Sequence, residues 1–129
     1  MLYELYLPFP PTVNDYYVKT ARGIYISAKG KLFRELVSEA VNEQLPGIHI
    51  DSPMLLEVVL YMPDARRRDI DNYQKALLDA LTVCGLWEDD SLVNQLFIYR
   101  GKASIRSGGS VFMRITDGGP VLPAGILPK

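Results

Sequence analysis

Acidic and basic side chains crowd into two short stretches of the chain. Three consecutive arginines, residues 66–68, run directly into Asp69 and Asp71, and Lys75 follows one helical turn after the second aspartate. A second group of acids, residues 88–90, follows soon afterwards. Arginine binds phosphate oxygens in a bidentate manner, and carboxylate oxygens are the ligands that Mg²⁺ prefers. The pattern therefore suggests a divalent metal acting on a phosphodiester.

The spacing of the two aspartates limits how they could share one metal. Residues two apart on a helix point to nearly opposite sides, so Asp69 must precede the helix, in the turn after a strand. Asp71 with Gln74 also matches a capping box, which predicts Asp71 as the helix N-cap. Lys75 then lies on the same helix face as Asp71. The simpler alternative is a capped helix with solvated charges. Carboxylates that converge would repel one another, so their convergence would imply a cation.

Other phosphate- and metal-binding motifs do not match. An EF-hand loop beginning at Asp69 would need glycine at its sixth position and glutamate at its twelfth, where this chain has Gln74 and Ala80. The sequence has no P-loop, no glycine-rich dinucleotide fingerprint and no zinc-ligand spacing. His49 lies alone in a loop, which is typical of a solvated histidine, and no role is assigned to it.

The composition is that of one ordinary globular domain. The 129 residues are 48% hydrophobic and 22% charged, and no apolar run reaches the ~18 residues of a membrane span. A single cysteine, Cys84, and the lack of a signal-peptide pattern predict an intracellular, cytoplasmic protein. The net charge of −1 counts against a strongly basic nucleic-acid binder. The three arginines nevertheless provide a local basic patch.

Hydrophobic periodicity predicts an α+β fold with the order β-α-β-α-β-β, in which helices pack on a mixed sheet. A half-buried strand at 2–7 is followed by a polar loop at 12–23 and a short strand at 24–26. Ser27 is the expected N-cap of the first helix. The apolar stripe of that helix comprises Leu32, Phe33, Leu36, Val37, Ala40 and Val41.

The second half of the chain adds three strands and a helix. Residues 54–62 are almost continuously apolar, which predicts a strand covered on both faces. A helix is expected at 72–84, with Gly85 just past its end. Its buried stripe comprises Tyr73, Leu77, Ala80, Leu81 and Cys84. Strands at 92–99 and 111–116 are expected to pair as a hairpin.

The chain resembles the RusA family of phage- and prophage-associated Holliday junction resolvases. The resemblance lies in Met-Pro-Asp-Ala-Arg-Arg-Arg-Asp-Ile-Asp-Asn-Tyr-Gln-Lys-Ala at 62–76 and in Gly-Leu-Trp-Glu-Asp-Asp at 85–90. It extends to 7–11, Asn14, the tyrosines at 16–17, Ser-Ala-Lys-Gly at 27–30 and Asp-Ala-Leu at 79–81. The resemblance covers most of the chain up to about residue 116, so we expect one endonuclease domain at 1–116. The glycines and prolines that follow predict a flexible tail at 117–129.

This resemblance implies a homodimeric endodeoxyribonuclease that needs Mg²⁺, or Mn²⁺, and resolves four-way DNA junctions by paired symmetric nicks in recombination and repair. The catalytic positions of the family fall on Asp69, Asp71 and Asp90, which would also hold the metal, and on Lys75. Lys75 is expected to stabilise the transition state electrostatically. Sequence-independent phosphate contacts are expected from Arg66, Arg67, Arg68, Lys19, Arg22, Lys102 and Arg106.

Two other functions stay open at the level of sequence. In a non-catalytic protein that binds branched DNA, the acids would only cap the helix and orient the arginines. In a metal-dependent phosphohydrolase, the same acids would act on small substrates. Metal-dependent nicking of a synthetic junction separates the nuclease from both.

Overall fold

The computed structural model describes residues 1–102 and 108–118. The helices are α1 (Val13–Tyr16), α2 (Ala28–Gln44) and α3 (Gln74–Val83), and two 3₁₀ turns lie at Ile70–Asn72 and Asp90–Leu92. The strands are β1 (Leu2–Pro8), β2 (Tyr17–Thr20), β3 (Gly23–Ile26), β4 (Met54–Tyr61), β5 (Val93–Arg100) and β6 (Ser110–Asp117). No helix in these residues is long and apolar enough to cross a membrane.

Four strands form a mixed sheet in the order β1-β6-β4-β5, which confirms the predicted α+β class. β6 pairs antiparallel with both β1 and β4, and β5 pairs parallel with β4. The predicted hairpin between the last two strands is wrong, because β5 and β6 lie on opposite sides of β4. Parallel strands need a long crossover, and the segment containing α3 supplies it between β4 and β5.

The two faces of the sheet differ in burial. Met54, Leu56, Val58 and Leu60 of β4 are buried, whereas the residues between them are only half-buried. The prediction that both faces of this strand are covered is therefore wrong. α2 and α3 pack against each other, and α2 lies on β1, which closes one hydrophobic core. The opposite, outer face carries no helix among the described residues.

α2 begins where the sequence predicts. The Ser27 hydroxyl accepts a hydrogen bond from the Gly30 N–H at 2.9 Å, as expected of an N-cap. The buried stripe is narrower than predicted: Phe33, Val37 and Val41 are buried, but Leu32 and Leu36 are exposed. A Cβ at Gly30 would lie 2.6 Å from the Tyr16 carbonyl oxygen, so glycine allows α1 to approach α2 closely.

Residues 12–23 are not the polar loop that the sequence predicts. Thr12 caps the short helix α1, and β2 and β3 follow as an antiparallel two-stranded hairpin. The predicted strand at 24–26 is confirmed as part of β3. Tyr16, the last residue of α1, is completely buried. A tyrosine can be buried within a polar segment when its ring packs in the core and its hydroxyl is hydrogen-bonded. The polar composition of residues 12–23 therefore did not reveal that Tyr16 belongs to the core.

α3 begins later than predicted and without the predicted cap. Asp71 lies inside the first 3₁₀ turn, and Tyr73 occupies the N-cap position with no side-chain capping hydrogen bond. The capping-box prediction for Asp71 is therefore wrong. The buried stripe of the helix is confirmed, except that Cys84 is only half-buried. Gly85 has a φ of +85°, the left-handed conformation predicted for it.

Candidate active site

The loop after β4 is organised by the carboxylate of Asp64. Its Oδ1 accepts the Arg66 N–H at 3.0 Å, and its Oδ2 accepts a hydrogen bond from an Arg68 Nη at 2.8 Å. These bonds hold the pKa of Asp64 below its usual value. Arg100 donates to the Arg68 carbonyl oxygen at 2.7 Å, which ties the same loop to β5.

The three arginines consequently differ in their freedom to bind a ligand. Arg68 is only 18% exposed, and its guanidinium contacts Asp64 and the Tyr73 hydroxyl. Arg66 is exposed but pairs with Asp64 at 3.2 Å. Arg67 is exposed and makes no ion pair within residues 1–102 and 108–118. Arg67 is therefore the arginine of this run best able to bind phosphate.

Asp69 and Asp71 lie at the first 3₁₀ turn, directly before α3. Asp69 occupies the N-cap position of the turn, as the sequence argument required, and Asp71 is inside it. Both residues are exposed, and neither carboxylate makes a hydrogen bond or ion pair in the described part of the chain. Their oxygens are thus available to a cation.

Lys75 and Asp90 come from separate segments and lie near each other. Lys75 is exposed on the first turn of α3, with its Nζ 5.8 Å from the centre of the Tyr17 ring. Burial and the negative charges of Asp89 and Asp79 raise the pKa of Asp90, while the positive charge of Lys75 opposes this rise. The negative electrostatic potential at Asp90 is therefore only partly offset by the positive charge of Lys75.

Sequence reasoning missed a network that joins the three helices. The Tyr16 hydroxyl donates to Asp79 Oδ2 and accepts from Arg34 Nε at 2.8 Å. Arg34 also donates to Asp79 Oδ2 at 2.8 Å. Burial and the hydrogen bond to Asp79 raise the pKa of Tyr16. The one available signal was Asp79 itself, a carboxylate within an otherwise apolar stretch of α3, four residues after Lys75.

The acids do not form a closed cage. No group of three or more Asp, Glu, His or Cys side chains in the described residues has the arrangement of a metal site. The donor set nevertheless fits Mg²⁺ chemically, because Asp69 and Asp71 offer carboxylates that bond to no other side chain within residues 1–102 and 108–118. A cation bound nearby would also lower the raised pKa of Asp90, because positive charge favours the ionised carboxylate.

Comparison with known proteins decides the family. Residues 8–115 match the family model described as Endodeoxyribonuclease RusA. The chain is 38% identical over 118 residues to crossover junction endodeoxyribonuclease RusA of Shigella sonnei (strain Ss046), which covers 91% of this chain and 96% of that relative. Over the same shares, it is 37% identical to the Escherichia coli (strain K12) protein of that name and 38% identical to that of Enterobacteria phage 82.

The chain belongs to the RusA family. The family predicted from the sequence is confirmed, and with it the predicted enzyme class, an endodeoxyribonuclease that hydrolyses phosphodiester bonds in DNA. The matched region contains the complete run from Asp64 to Lys75 and the second acidic group. The same region contains the Tyr16–Arg34–Asp79 network.

The other predicted cations are scattered around this RusA-type domain. Lys19 is exposed on β2, and Arg22 is exposed in the turn between β2 and β3. Lys102 is exposed just after β5. Arg106 lies outside the described residues. Lys19 lines the same groove as Lys75.

His49 holds the segment that leads to Asp90. Its Nδ1 lies 2.8 Å from the Gly85 carbonyl oxygen, and its Nε2 lies 2.9 Å from a carboxylate oxygen of Glu88. The neighbouring backbone is paired as well, because Ile50 donates to the Leu86 carbonyl at 2.8 Å. A single histidine in a polar loop gave no sequence signal for this role.

The His49 contacts predict a pH-dependent contribution to stability. The Gly85 carbonyl and the Glu88 carboxylate raise the pKa of His49. A pKa raised on folding gives stability that is full below the unfolded value and is lost as pH rises through the folded value. We expect the urea midpoint of the wild type to exceed that of His49→Gln most at about pH 5, with the gap closing towards about pH 8.

NMR titration of the His49 ring measures the pKa directly, and Glu88→Gln should lower it. A gap between wild type and His49→Gln that stays constant over this range would show that the imidazolium does not stabilise the loop.

Proposed function

We propose that this chain is a Mg²⁺-dependent endodeoxyribonuclease that resolves four-way DNA junctions by paired, symmetric nicks. Its relatives in Shigella sonnei and Escherichia coli are crossover junction endodeoxyribonucleases, which supports a four-way junction as the substrate. The observation that carries the chemistry is the position of two 3₁₀ turns against α3, whose first turn bears Lys75. One turn carries Asp69 and Asp71, which have no partner among the described residues, and the other begins with Asp90, on which the Lys75 charge acts. Mn²⁺ is the alternative metal.

In this proposal Asp69, Asp71 and Asp90 hold the metal. When bound, a divalent ion supplies charge neutralisation and lowers the pKa of a water that attacks phosphorus. The side chain of Asp90 is the most constrained of the three, because the His49 contacts and the second 3₁₀ turn fix the segment that carries it. The first turn carries the other two on a short, exposed segment.

The cations have separate roles. Lys75 donates to a non-bridging oxygen of the scissile phosphate and stabilises the charge that develops there in the transition state. Arg67 binds a neighbouring phosphate and so contributes affinity without reading sequence. Arg68 bonds to Asp64 and so stabilises the conformation of the loop after β4, which orients both Arg67 and Asp69.

Substitution of the acids tests the catalytic assignment. Asp69→Asn, Asp71→Asn and Asp90→Asn should each reduce cleavage by more than about a hundredfold, because loss of a metal ligand should exceed the 10–100-fold effect of losing an outer-shell partner. Junction binding should be unchanged or tighter, since a negative charge near phosphate is removed. Asp89→Asn is the matched control and should do less, because the Asp89 carboxylate is already bonded to the Ser91 hydroxyl at 2.9 Å.

The assay uses labelled four-way junction, flap, Y-shaped and linear DNA, with and without Mg²⁺. Near-normal cutting by Asp71→Asn would remove Asp71 from the metal site. Tight junction binding by the wild type without any metal-dependent nick would favour the non-catalytic DNA-binding alternative.

Two neighbouring arginines give a matched pair for DNA binding. Arg67→Ala should weaken junction affinity and reduce the log–log salt slope by about one unit, the value for one lost phosphate contact. Arg68→Ala should instead lower the urea midpoint, because the Asp64 carboxylate loses its 2.8 Å partner. Filter binding across a salt series and urea denaturation measure the two effects. An unchanged salt slope for Arg67→Ala would contradict its role.

The outer face of the sheet supports a homodimer. Register places Tyr6, Phe112, Val59 and Tyr99 in one row across the four strands. The next row is Glu4, Arg114, Glu57 and Phe97. Large apolar side chains on a face that no described helix covers are typical of an interaction surface. Arg114 lies between two acids, at 3.5 Å from Glu4 and 4.0 Å from Glu57, so the charged row can pair with a rotated copy of itself.

Junction symmetry requires the same arrangement. Resolution needs two nicks in equivalent strands, and each chain carries one set of Asp69, Asp71 and Asp90. A dimer with twofold symmetry buries the same patch on both copies and relates two active sites by the axis of the junction.

Tyr6 and Tyr25 provide a test of this interface with a matched control. Both tyrosines are exposed on strands, at 64% and 51%, but only Tyr6 lies on the outer face of the four-stranded sheet. Light scattering should give twice the 14.5 kDa chain mass for the wild type and for Tyr25→Lys. Tyr6→Lys should shift the protein towards the monomer, because an ammonium group would then stand in the apolar row that the dimer would bury.

A supercoiled cruciform plasmid reports the function of the dimer. Wild type should linearise it within one binding event, whereas monomeric Tyr6→Lys should yield nicked circles. A monomeric wild type that produces only nicked circles would contradict paired cutting.

A further inference from the structure

A groove runs between the β2–β3 hairpin and the start of α3. Its lining residues are Val13, Asn14, Tyr17, Lys19, Ile24 and Lys75, and its volume is about 320 Å³. Lys75 is thus shared between this groove and the proposed catalytic centre. None of the other five has a role in the proposed cleavage step, so their convergence beside Lys75 calls for its own explanation.

The hairpin register determines which side chains face the groove. Lys19 pairs directly with Ile24, and Tyr17 with Ile26, so these four side chains share one face. Val18 pairs with Tyr25 on the opposite face. Ile24 is 62% exposed although it borders the groove, and Val18 is 44% exposed on the far side. Ile24 therefore exposes apolar surface to solvent beside two lysines, which is where a bound ligand could pack against it.

The chemistry of the lining matches one nucleotide. Lys19 and Lys75 supply two positive charges, and no carboxylate belongs to the lining, so the two ammonium groups can bind a phosphate. Asp79 and Asp90, the acids whose charge acts on Tyr17, lie outside the lining. Ile24 and Val13 offer apolar surface to a base or sugar. The exposed amide of Asn14 offers both a donor and an acceptor to a base edge. The volume is at the lower end of the range for small-molecule pockets, which fits one nucleotide and excludes a duplex.

We propose that this groove binds a single unstacked nucleotide of the DNA strand next to the scissile phosphate. The inference rests on the proposed nuclease function, because Lys75 links the groove to the phosphate that is cut. Lys19 contacts the flanking phosphate, Ile24 packs against the base, and Asn14 hydrogen-bonds to the edge of the base. Tyr17 forms the floor, with its ring next to the Lys75 ammonium.

Such a groove would let the enzyme prefer branched DNA to linear duplex by recognising one nucleotide at the branch point. Taking a base out of a continuous stack costs free energy, and the cost is lowest where the stack is already interrupted. A branch point provides that interruption, whereas linear duplex does not. The enzyme would therefore select a junction by the availability of one nucleotide, in addition to any recognition of its overall shape by a dimer.

Ile24→Ser and Val18→Ser form a matched pair for the test. Both replace an exposed β-branched residue of the same hairpin, but only Ile24 faces the groove. The probe is a fixed four-way junction with 2-aminopurine at each nucleotide around the branch in turn, bound without divalent metal so that no cutting occurs. Circular dichroism confirms that both variants are folded.

With wild type and Val18→Ser, the fluorescence of 2-aminopurine should increase on binding at one position, because the base at that position leaves its stack. We call this increase brightening. Ile24→Ser should lose this signal and bind the junction about tenfold more weakly, within the range for loss of one base contact. An abasic nucleotide at that position should weaken the wild type about tenfold and Ile24→Ser hardly at all. Affinity for linear duplex should not change.

The proposal is overturned if no position brightens with wild type, if both serine variants weaken binding equally, or if the abasic penalty is the same in wild type and Ile24→Ser. Addition of Mg²⁺ separates the two levels of inference. A wild type that brightens one position but never cuts contradicts the nuclease function and leaves the nucleotide groove standing. A wild type that cuts without brightening contradicts the groove alone.

Discussion

The hydroxyl group of Tyr16, shared between Arg34 and Asp79, is the interaction on which the arrangement of the site depends. It joins one residue from each of the three helices at a point where the tyrosine ring is completely buried. Hydrogen bonds to charged groups contribute about 1.5–3 kcal/mol each, and removing the Asp79 carboxylate would take an acceptor from both Tyr16 and Arg34. Because Tyr16 precedes β2 directly, the network also fixes where the hairpin leaves the body of the domain. Lys75, one turn before Asp79, is thereby held opposite Tyr17.

The same network has an electrostatic consequence. Asp79 adds to the negative potential that raises the pKa of Asp90, although Arg34 sits beside it and offsets part of its charge. The acidic end of the site thus contains more negative charge than Lys75 alone compensates. A protein with a net charge of −1 binds DNA on this side more tightly when the acids are neutralised locally. A divalent cation does so, which couples metal binding to the approach of phosphate.

Local rules predicted much of the chain, and non-local contacts account for the errors. The Ser27 cap, the Gly85 helix end and the buried stripe of α3 follow from neighbouring residues, so the sequence was sufficient for them. Which strands β6 pairs with is decided by competition among strands that are distant in the sequence. Hydrophobic periodicity carries no information about that competition. Arg34 and Asp79 are 45 positions apart, and nothing in either neighbourhood indicates the other. For the site, the assignment of Asp69, Asp71 and Asp90 comes from the family resemblance and stays a prediction. The freedom of Arg67 relative to Arg68 became visible only through the hydrogen bonds of Asp64.

The distribution of rigid and free residues explains how one small domain can accommodate a branched substrate. Asp90 and Lys75 lie on segments tied to the body, by the His49 contacts and by α3 respectively. Asp69, Asp71 and Arg67 lie on an exposed turn whose shape is fixed by Asp64 but whose own side chains have no described partners. In the proposed reaction, the fixed residues would hold the reacting phosphate in one position, and the free residues would adjust to strands that leave the branch at different angles. Ordering those side chains costs conformational entropy, so we expect the catalytic arrangement to become complete once both DNA and cation are bound.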